Sequence, residues 1–148
     1  MTQQTVKSKL PHILIYAGAF PFMAGAFLLA TGFTVLPLLG QIDEALAAYG
    51  LVIVIFLTGI HWGQQLSLGR LATGLFLASN FIAILIWLAW LILPTRYFIV
   101  FLAVPLIVLL AIDRNFFCTG ILERKYFQSR TIVTTTVILC LNIAAFYS

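Results

Sequence analysis

Apolar residues occur in long uninterrupted blocks along this chain, separated by short polar stretches. A bilayer core about 30 Å thick is crossed by about 20 residues of helix. Five blocks approach or exceed that length, over residues 12–33, 45–66, 71–93, 97–112 and 131–147. Backbone groups in lipid need hydrogen-bond partners within their own segment, so each block must be helical. The pattern predicts an all-α fold, an integral membrane bundle of five transmembrane helices forming a single domain over residues 1–148.

The connections and prolines add detail to this bundle. The stretches 67–70 and 94–96 are so short that the helices they join should be antiparallel neighbours. Pro21 and Pro105 fall inside predicted spans, where each removes one backbone hydrogen bond and should bend its helix.

Composition supports the membrane assignment. Hydrophobic residues make up 63% of the chain, charged residues 8%, and the mean hydropathy is +1.13. A soluble domain is typically about half apolar and a quarter charged, and a fold of this size has too few polar residues to cover so much apolar surface. The net charge of +4 comes from basic residues beside the spans. This placement is typical of topology signals and lipid headgroup contacts, and it gives no sign of a nucleic-acid partner.

The distribution of charge predicts an orientation. Counted across alternating helices, one side of the membrane holds Lys7, Lys9, Arg70, Arg114, Arg124, Lys125 and Arg130. The other side holds Arg96 with the acidic pair Asp43 and Glu44. The positive-inside rule then places the N-terminus in the cytoplasm and the C-terminus outside. We expect a multi-pass protein of the bacterial inner membrane, whose first block is retained rather than cleaved as a signal peptide.

The longest cytoplasmic connection, residues 113–130, mixes aromatic and basic side chains. This composition predicts a segment lying in the membrane interface, with aromatics toward the lipid and basic groups toward the headgroups. A docking surface for a partner protein is the alternative.

The second block carries the most informative polar residue, His61. At 100° per residue, Val54, Leu57, Thr58 and Gln65 share its helix face. Gly59 and Gly63 lie almost opposite as a small-xxx-small pair that would let another helix approach closely. Both faces therefore favour protein contacts, which predicts a central place for this helix, while Trp62 is expected to anchor it at the interface.

Other polar residues lie at a depth similar to that of His61 on other helices. The predicted cluster comprises Tyr16, His61, Gln65, Asn80, Asp113 and Arg130, all in the cytoplasmic half. Intramembrane ionisable groups usually face the bundle interior and have partners, so we expect His61 to contact Asp113. Asn142 is expected to make a hydrogen bond between helices.

Three roles for this cluster remain open at the level of sequence. His61 could bond Asp113, Asn80 or a water and fix the helix register, or the group could be a binding or proton-handling site open to the cytoplasm. A haem held by His12 and His61 is conceivable, but His12 lies at the very edge of its span. No zinc or other metal motif is present, no enzyme motif is found, and we expect no cofactor.

Several stretches carry a family resemblance: "LIYAGAFPF" in the first block, "LAAYGLVIVIFLTGIHWG" in the second, and Asp113–Arg114 late in the fourth. Over nearly the whole chain they resemble the small bacterial and mitochondrial membrane proteins of unknown function that include transmembrane protein 69. The most specific part lies between Tyr49 and Gly63. The resemblance implies a multi-helix membrane protein and supplies no activity, substrate or cofactor.

Three hypotheses of function follow. The first is a non-enzymatic accessory or assembly factor that contacts lipids and a larger membrane complex. The second is a binding or transport module for a small apolar or weakly acidic molecule, of quinone or lipid type, in a pocket around His61. The third, a membrane enzyme with His61 as base, rests on that histidine alone. The oligomeric state and the identity of any partner stay open.

Overall fold

The computed structural model describes residues 10–67 and 73–148. It is a helical bundle with the elements α1 (Leu10–Ala30), α2 (Ile42–Ser67), α3 (Thr73–Ile92), α4 (Thr95–Phe101), α5 (Ala103–Cys118) and α6 (Arg124–Tyr147). Within the described residues, five segments are long and apolar enough to cross a membrane, with α4 and α5 together forming one of them. The predicted all-α, five-span architecture is confirmed.

The cytoplasmic connection predicted over 113–130 is much shorter in the structure. Helix α5 continues to Cys118 and α6 already begins at Arg124. Gly120, with φ of 76°, ends α5: its N–H bonds the Phe117 carbonyl at 3.0 Å, and the Ile121 N–H bonds the Phe116 carbonyl at 2.9 Å. This is the glycine-dependent Schellman ending, which satisfies the last carbonyls of a helix. The prediction of a long separate segment was wrong, because the aromatic residues that suggested it extend the helices.

The two prolines have different local effects. Pro105 lacks an N–H and cannot donate to the carbonyl of Phe101, the residue four positions earlier. The regular helix is interrupted there, with α4 ending at Phe101 and α5 beginning at Ala103. Helix α1, in contrast, continues through Pro21 to Ala30.

A short hairpin joins α1 to α2. Its strands, β1 (Val35–Leu36) and β2 (Gly40–Gln41), are antiparallel, with Val35 opposite Gln41. Beside this hairpin, the Ser148 hydroxyl donates to Asp43 Oδ2 at 2.9 Å, which places the end of α6 next to the start of α2. Leu10, at the start of α1, and Ser148 therefore lie at opposite ends of the bundle, as an odd number of spans requires.

Helix α2 is central, since it contacts α1, α3, α4 and α5. One face of α2 is buried along its length, at intervals of three or four residues: Ile42, Leu46, Gly50, Val54, Leu57, His61 and Gln65. The outer faces of the bundle expose large apolar side chains such as Phe20, Leu77 and Trp87. Apolar residues on all sides of a helix are typical of a membrane span, where lipid covers the outer face.

The predicted packing at Gly59 and Gly63 is not made within the part of the chain that the structure describes. A Cβ built on either glycine would have no neighbour within 4 Å. The reason is geometric, because the polar face of α2 turns inward and the opposite face must turn outward. Close helix approach occurs instead at Gly50, where a Cβ would overlap the Leu102 side chain, and at Gly25, where it would lie 2.7 Å from Leu46 Cγ.

Candidate functional site

Three ionisable side chains meet inside the bundle. His61 Nε2 lies 2.9 Å from Asp113 Oδ1, and Arg130 Nε donates to Asp113 Oδ2 at 3.1 Å. The side chains of His61, Asp113 and Arg130 are 2%, 3% and 8% exposed. We call these three residues the charge cluster. The expected contact between His61 and Asp113 is present, and Arg130 completes it.

Each member of the charge cluster lies on the buried face of its own helix. Asp113 continues a buried stripe on α5 formed with Leu106, Leu109 and Phe116. Arg130 begins the corresponding stripe on α6, which continues through Val133 and Val137. Because α5 runs on to Cys118 and α6 starts at Arg124, both charged residues lie inside their helices rather than at the ends.

The bonding of Asp113 fixes the proton positions in the charge cluster. The carboxylate, paired with the Arg130 guanidinium, can only accept hydrogen bonds. A neutral His61 must therefore carry its proton on Nε2 and donate it to Asp113. The other ring nitrogen, Nδ1, is then an unprotonated acceptor, and it is buried without a partner among the described residues. With His61 neutral, the charges of Asp113 and Arg130 cancel.

Gln65 and Tyr16 flank the charge cluster in different ways. Gln65 is buried one turn beyond His61 on the same face of α2, and its Oε1 has no hydrogen-bond partner in the described structure. Tyr16 is 46% exposed, and its hydroxyl donates to the Ser129 hydroxyl at 3.4 Å. It contacts the residue before Arg130 and so lies at the edge of the group.

Asn80 does not join the group, and its predicted place there was wrong. It is exposed on α3, and its Nδ2 donates to the Phe76 carbonyl one turn earlier at 3.0 Å. The preceding residue, Ser79, faces inward and is buried, with an Oγ that lacks a partner within the described part of the chain. A single residue, or 100° of helix rotation, decides which side chain faces the core.

The prediction for Asn142 was also wrong. It is exposed and donates to the Ile138 carbonyl of its own helix at 2.8 Å, so it makes no bond between helices here. Trp62 lies on the outer side of α2, 41% exposed, and its ring packs edge-to-face with that of Phe76 on α3, the ring centroids being 5.0 Å apart.

Two further expectations concern histidine and metal binding. The His12 side chain, like Lys7, Lys9 and Arg70, lies outside the described residues. No group of three or more His, Cys, Asp or Glu side chains able to hold a metal ion is found among the residues that are described. Nε2 of His61 is already bonded to Asp113, which leaves Nδ1 as its available nitrogen.

A cavity of about 280 Å³ adjoins the charge cluster. Its walls come from α1, α2, α5 and α6 and are mainly apolar: Leu14, Ile15, Gly18, Phe22, Ile53, Phe56, Leu57, Ile60, Leu106, Val133 and Val137. Arg130, Tyr126 and Thr134 are its polar lining residues. Leu14 and Phe56, which are 61% and 62% exposed, lie at the rim, so the cavity opens on the apolar flank between α1 and α2.

Tyr126 is a lining residue that the sequence reasoning did not select. It was assigned to the predicted interfacial segment, whereas it lies in the first turn of α6. Residues four apart share a helix face, so Tyr126 and Arg130 both line the cavity. Had the sequence reasoning started this helix at Arg124 rather than at residue 131, it would have placed Tyr126 and Arg130 on one helix face.

A five-span bundle with a buried charge cluster beside an apolar cavity defines a multi-pass membrane protein. Over residues 7–146 the chain matches a family described as a protein of unknown function, DUF3429, and it belongs to that family. No curated protein and no solved structure matches the chain.

Proposed function

We propose that this protein binds a small amphipathic molecule, of lipid or quinone type, in the cavity between α1, α2, α5 and α6. The observation that carries the proposal is the lining of the cavity, whose described residues are apolar except for Tyr126, Arg130 and Thr134. Ligand sites are typically concave and mostly apolar with a few placed polar groups. A volume of about 280 Å³ suits a quinone head group or part of an acyl chain.

The guanidinium of Arg130 is suited to hold the polar end of such a molecule. Its bond to Asp113 uses Nε, and four of the five N–H donors of an arginine are not needed for that bond. The opening between α1 and α2 faces the region where lipid would lie, so a hydrophobic ligand could enter from the bilayer. The sequence analysis placed the binding pocket around His61. We propose the adjacent cavity instead, where His61 acts through Asp113.

Gly18 and Gly59 provide a matched test. A Cβ on either glycine would have no neighbour within 4 Å, but Gly18 lines the cavity and Gly59 lies on the outer face. We expect Gly18→Leu to fill the cavity and Gly59→Leu to leave it open. The protein and both variants are purified in mild detergent, and retained small molecules are extracted and identified by mass spectrometry.

The expected result is a defined amphipathic molecule with the wild type and Gly59→Leu, and its loss from Gly18→Leu. Equal thermal stability of the two variants shows that the loss is not unfolding. Retention of the molecule by Gly18→Leu, or a wild type that retains none and binds none when lipid and quinone extracts are added, refutes the proposal.

An accessory role in a larger membrane complex is the second candidate. The specific support is the outer face of α2, where Gly59 and Gly63 are exposed and open. Such pairs allow close approach of another transmembrane helix. A stoichiometric protein partner that is lost with Gly59→Leu, while Gly18→Leu retains it, supports this role. Co-purification unaffected by Gly59→Leu counts against this face as the contact.

The orientation is part of the proposal. With the N-terminus in the cytoplasm, the charge cluster lies in the cytoplasmic half of the bilayer, in the inner membrane of a bacterium. A reporter fused after Ser148 is expected to be active only outside the cytoplasm. Relatedness to transmembrane protein 69 stays a prediction.

A further inference from the structure

We propose that the cavity takes its ligand as an anion together with one proton, and that His61 accepts this proton on Nδ1. The inference deepens the proposed function and rests on it, because the anion would lie at the Arg130 end of that cavity. Arg130 is the one basic side chain among the described cavity-lining residues, and Asp113 offsets its charge. His61 shares the same carboxylate.

Two unpaired acceptors support the assignment of the proton to His61 Nδ1. With His61 neutral, its Nδ1 is a lone pair buried without a partner among the described residues. One turn along the same face of α2, the buried Gln65 also has an unpartnered oxygen, Oε1. Both atoms accept and neither donates. A proton on Nδ1 turns this unpaired acceptor into a donor, and Gln65, one helical turn away on the same face, carries an unpaired acceptor that such a donor requires.

The neighbouring elements bring few other charges to this place. Among the side chains that the structure describes, those that are titratable and face it are Asp113 from α5, Arg130 and Tyr126 from α6, and Tyr16 from α1, at the edge. Helix α3 carries no titratable residue over its length, and Arg96 and Tyr97 of α4 lie toward the other end of the bundle. The charge state is therefore set mainly by the charge cluster itself.

Charge balance then couples the two binding events. The charge cluster is neutral when His61 is neutral and carries one positive charge when His61 is protonated. A net charge in a low-dielectric interior is strongly disfavoured, and an anion at the guanidinium of Arg130 cancels it. Protonated His61 also competes for Asp113, which leaves Arg130 freer to bind the anion. By linkage, the proton and the anion each raise the affinity for the other by the same factor.

Octanesulfonate and octanol are suitable probes. The sulfonate stays anionic at all pH values used, so any pH dependence belongs to the protein, and octanol is its uncharged counterpart. From Arg130 to Val137 the cavity extends about 10 Å along α6, at about 1.5 Å per residue, a length suited to a short alkyl chain. Binding to the purified full-length protein in detergent is measured by calorimetry.

We expect the affinity for octanesulfonate to rise about tenfold from about pH 8 to about pH 5.5, and that for octanol to stay constant. Calorimetry in buffers of different ionisation enthalpy should show uptake of up to one proton per sulfonate bound. His61→Gln, which can still donate to Asp113 but cannot take up a proton, should abolish the pH dependence. His12→Gln, at the only other histidine, should preserve it.

The outcomes separate the two proposals. If both probes bind but the sulfonate affinity does not change with pH, the inference fails and the proposed function stands. If neither probe binds the wild type, both fail. The inference also fails if His61→Gln keeps the pH dependence or if His12→Gln removes it. Should His61→Gln not fold, the proton count on the wild type decides, and no proton uptake overturns the inference.

Discussion

The two halves of α2 are held in the bundle by different forces. In the half that starts at Ile42, small and aliphatic residues are buried, and the Gly50 backbone lies directly against Leu102. In the half that ends at Ser67, the buried residues include Thr58, His61 and Gln65. Shape complementarity stabilises the first half, whereas the second half is tied to α5 by the hydrogen bond from His61 to Asp113.

The polar half of α2 also has buried polar atoms whose hydrogen-bonding capacity is not used. Nδ1 of His61 and Oε1 of Gln65 are buried acceptors without partners in the described structure. Each such group costs about 1–3 kcal/mol relative to a satisfied one. The apolar half contains no comparable cost among its described buried residues. Stability alone would favour leucine at position 65, so the polar half of α2 is where a function is best sought.

The largest expected effect is at Asp113. Asp113→Asn leaves the Arg130 guanidinium buried without a counter-charge, and we expect a loss of about 3–5 kcal/mol in the free energy of unfolding. Arg130→Gln should cost less, because the Asp113 carboxylate keeps its hydrogen bond from His61. Unfolding is measured by denaturing-detergent titration in micelles. An Asp113→Asn protein as stable as the wild type would show that the ion pair is not formed.

The second effect tests the apolar half. Gly50→Val introduces a Cβ that overlaps the Leu102 side chain, which is itself fully buried and has little room to move. We expect a destabilisation of about 1–3 kcal/mol by overpacking. Gly59→Val on the same helix, with open space around it, should cost far less. Equal losses in the two variants would mean that helix propensity and not packing sets the cost.

The third substitution is expected to raise the free energy of unfolding rather than lower it. Gln65→Leu replaces a buried amide whose oxygen is unpartnered, and we expect the ligand-free protein to gain about 1 kcal/mol. The same unfolding titration measures the gain. The same change at the outward Asn142, whose amide is bonded to Ile138, serves as a control and should have little effect. A destabilised Gln65→Leu protein would contradict the view that this side chain is retained at a cost.

The smallest effect is at the edge of the site. Tyr16→Phe removes a hydroxyl that donates to Ser129 over 3.4 Å from a half-exposed side chain. We expect a loss of about 0.5 kcal/mol, the lower limit for a protein hydrogen bond. The midpoint of thermal unfolding in detergent checks this. A loss as large as that of Asp113→Asn would place Tyr16 inside the charge cluster after all.

Much of the site was predictable because membrane spans have strong periodicity. The face of α2 shared by Val54, Leu57, Thr58, His61 and Gln65 is buried as a whole. The contact of His61 with Asp113 followed from depth and from the need of intramembrane charges for partners. The prediction for Asn80 failed since depth says nothing about helix rotation, and its neighbour Ser79 faces the core instead.

The sequence by itself determined the class of the protein, the number of spans and the inward face of α2. These properties depend on the cost of exposing backbone and charge to hydrocarbon, which acts on each segment separately. Only the tertiary structure decided that Asp113 bonds both His61 and Arg130, that Tyr126 lines a cavity, and that Gly50 rather than Gly59 is packed. Those outcomes depend on how helices distant in sequence rotate and end against one another, which no local pattern encodes.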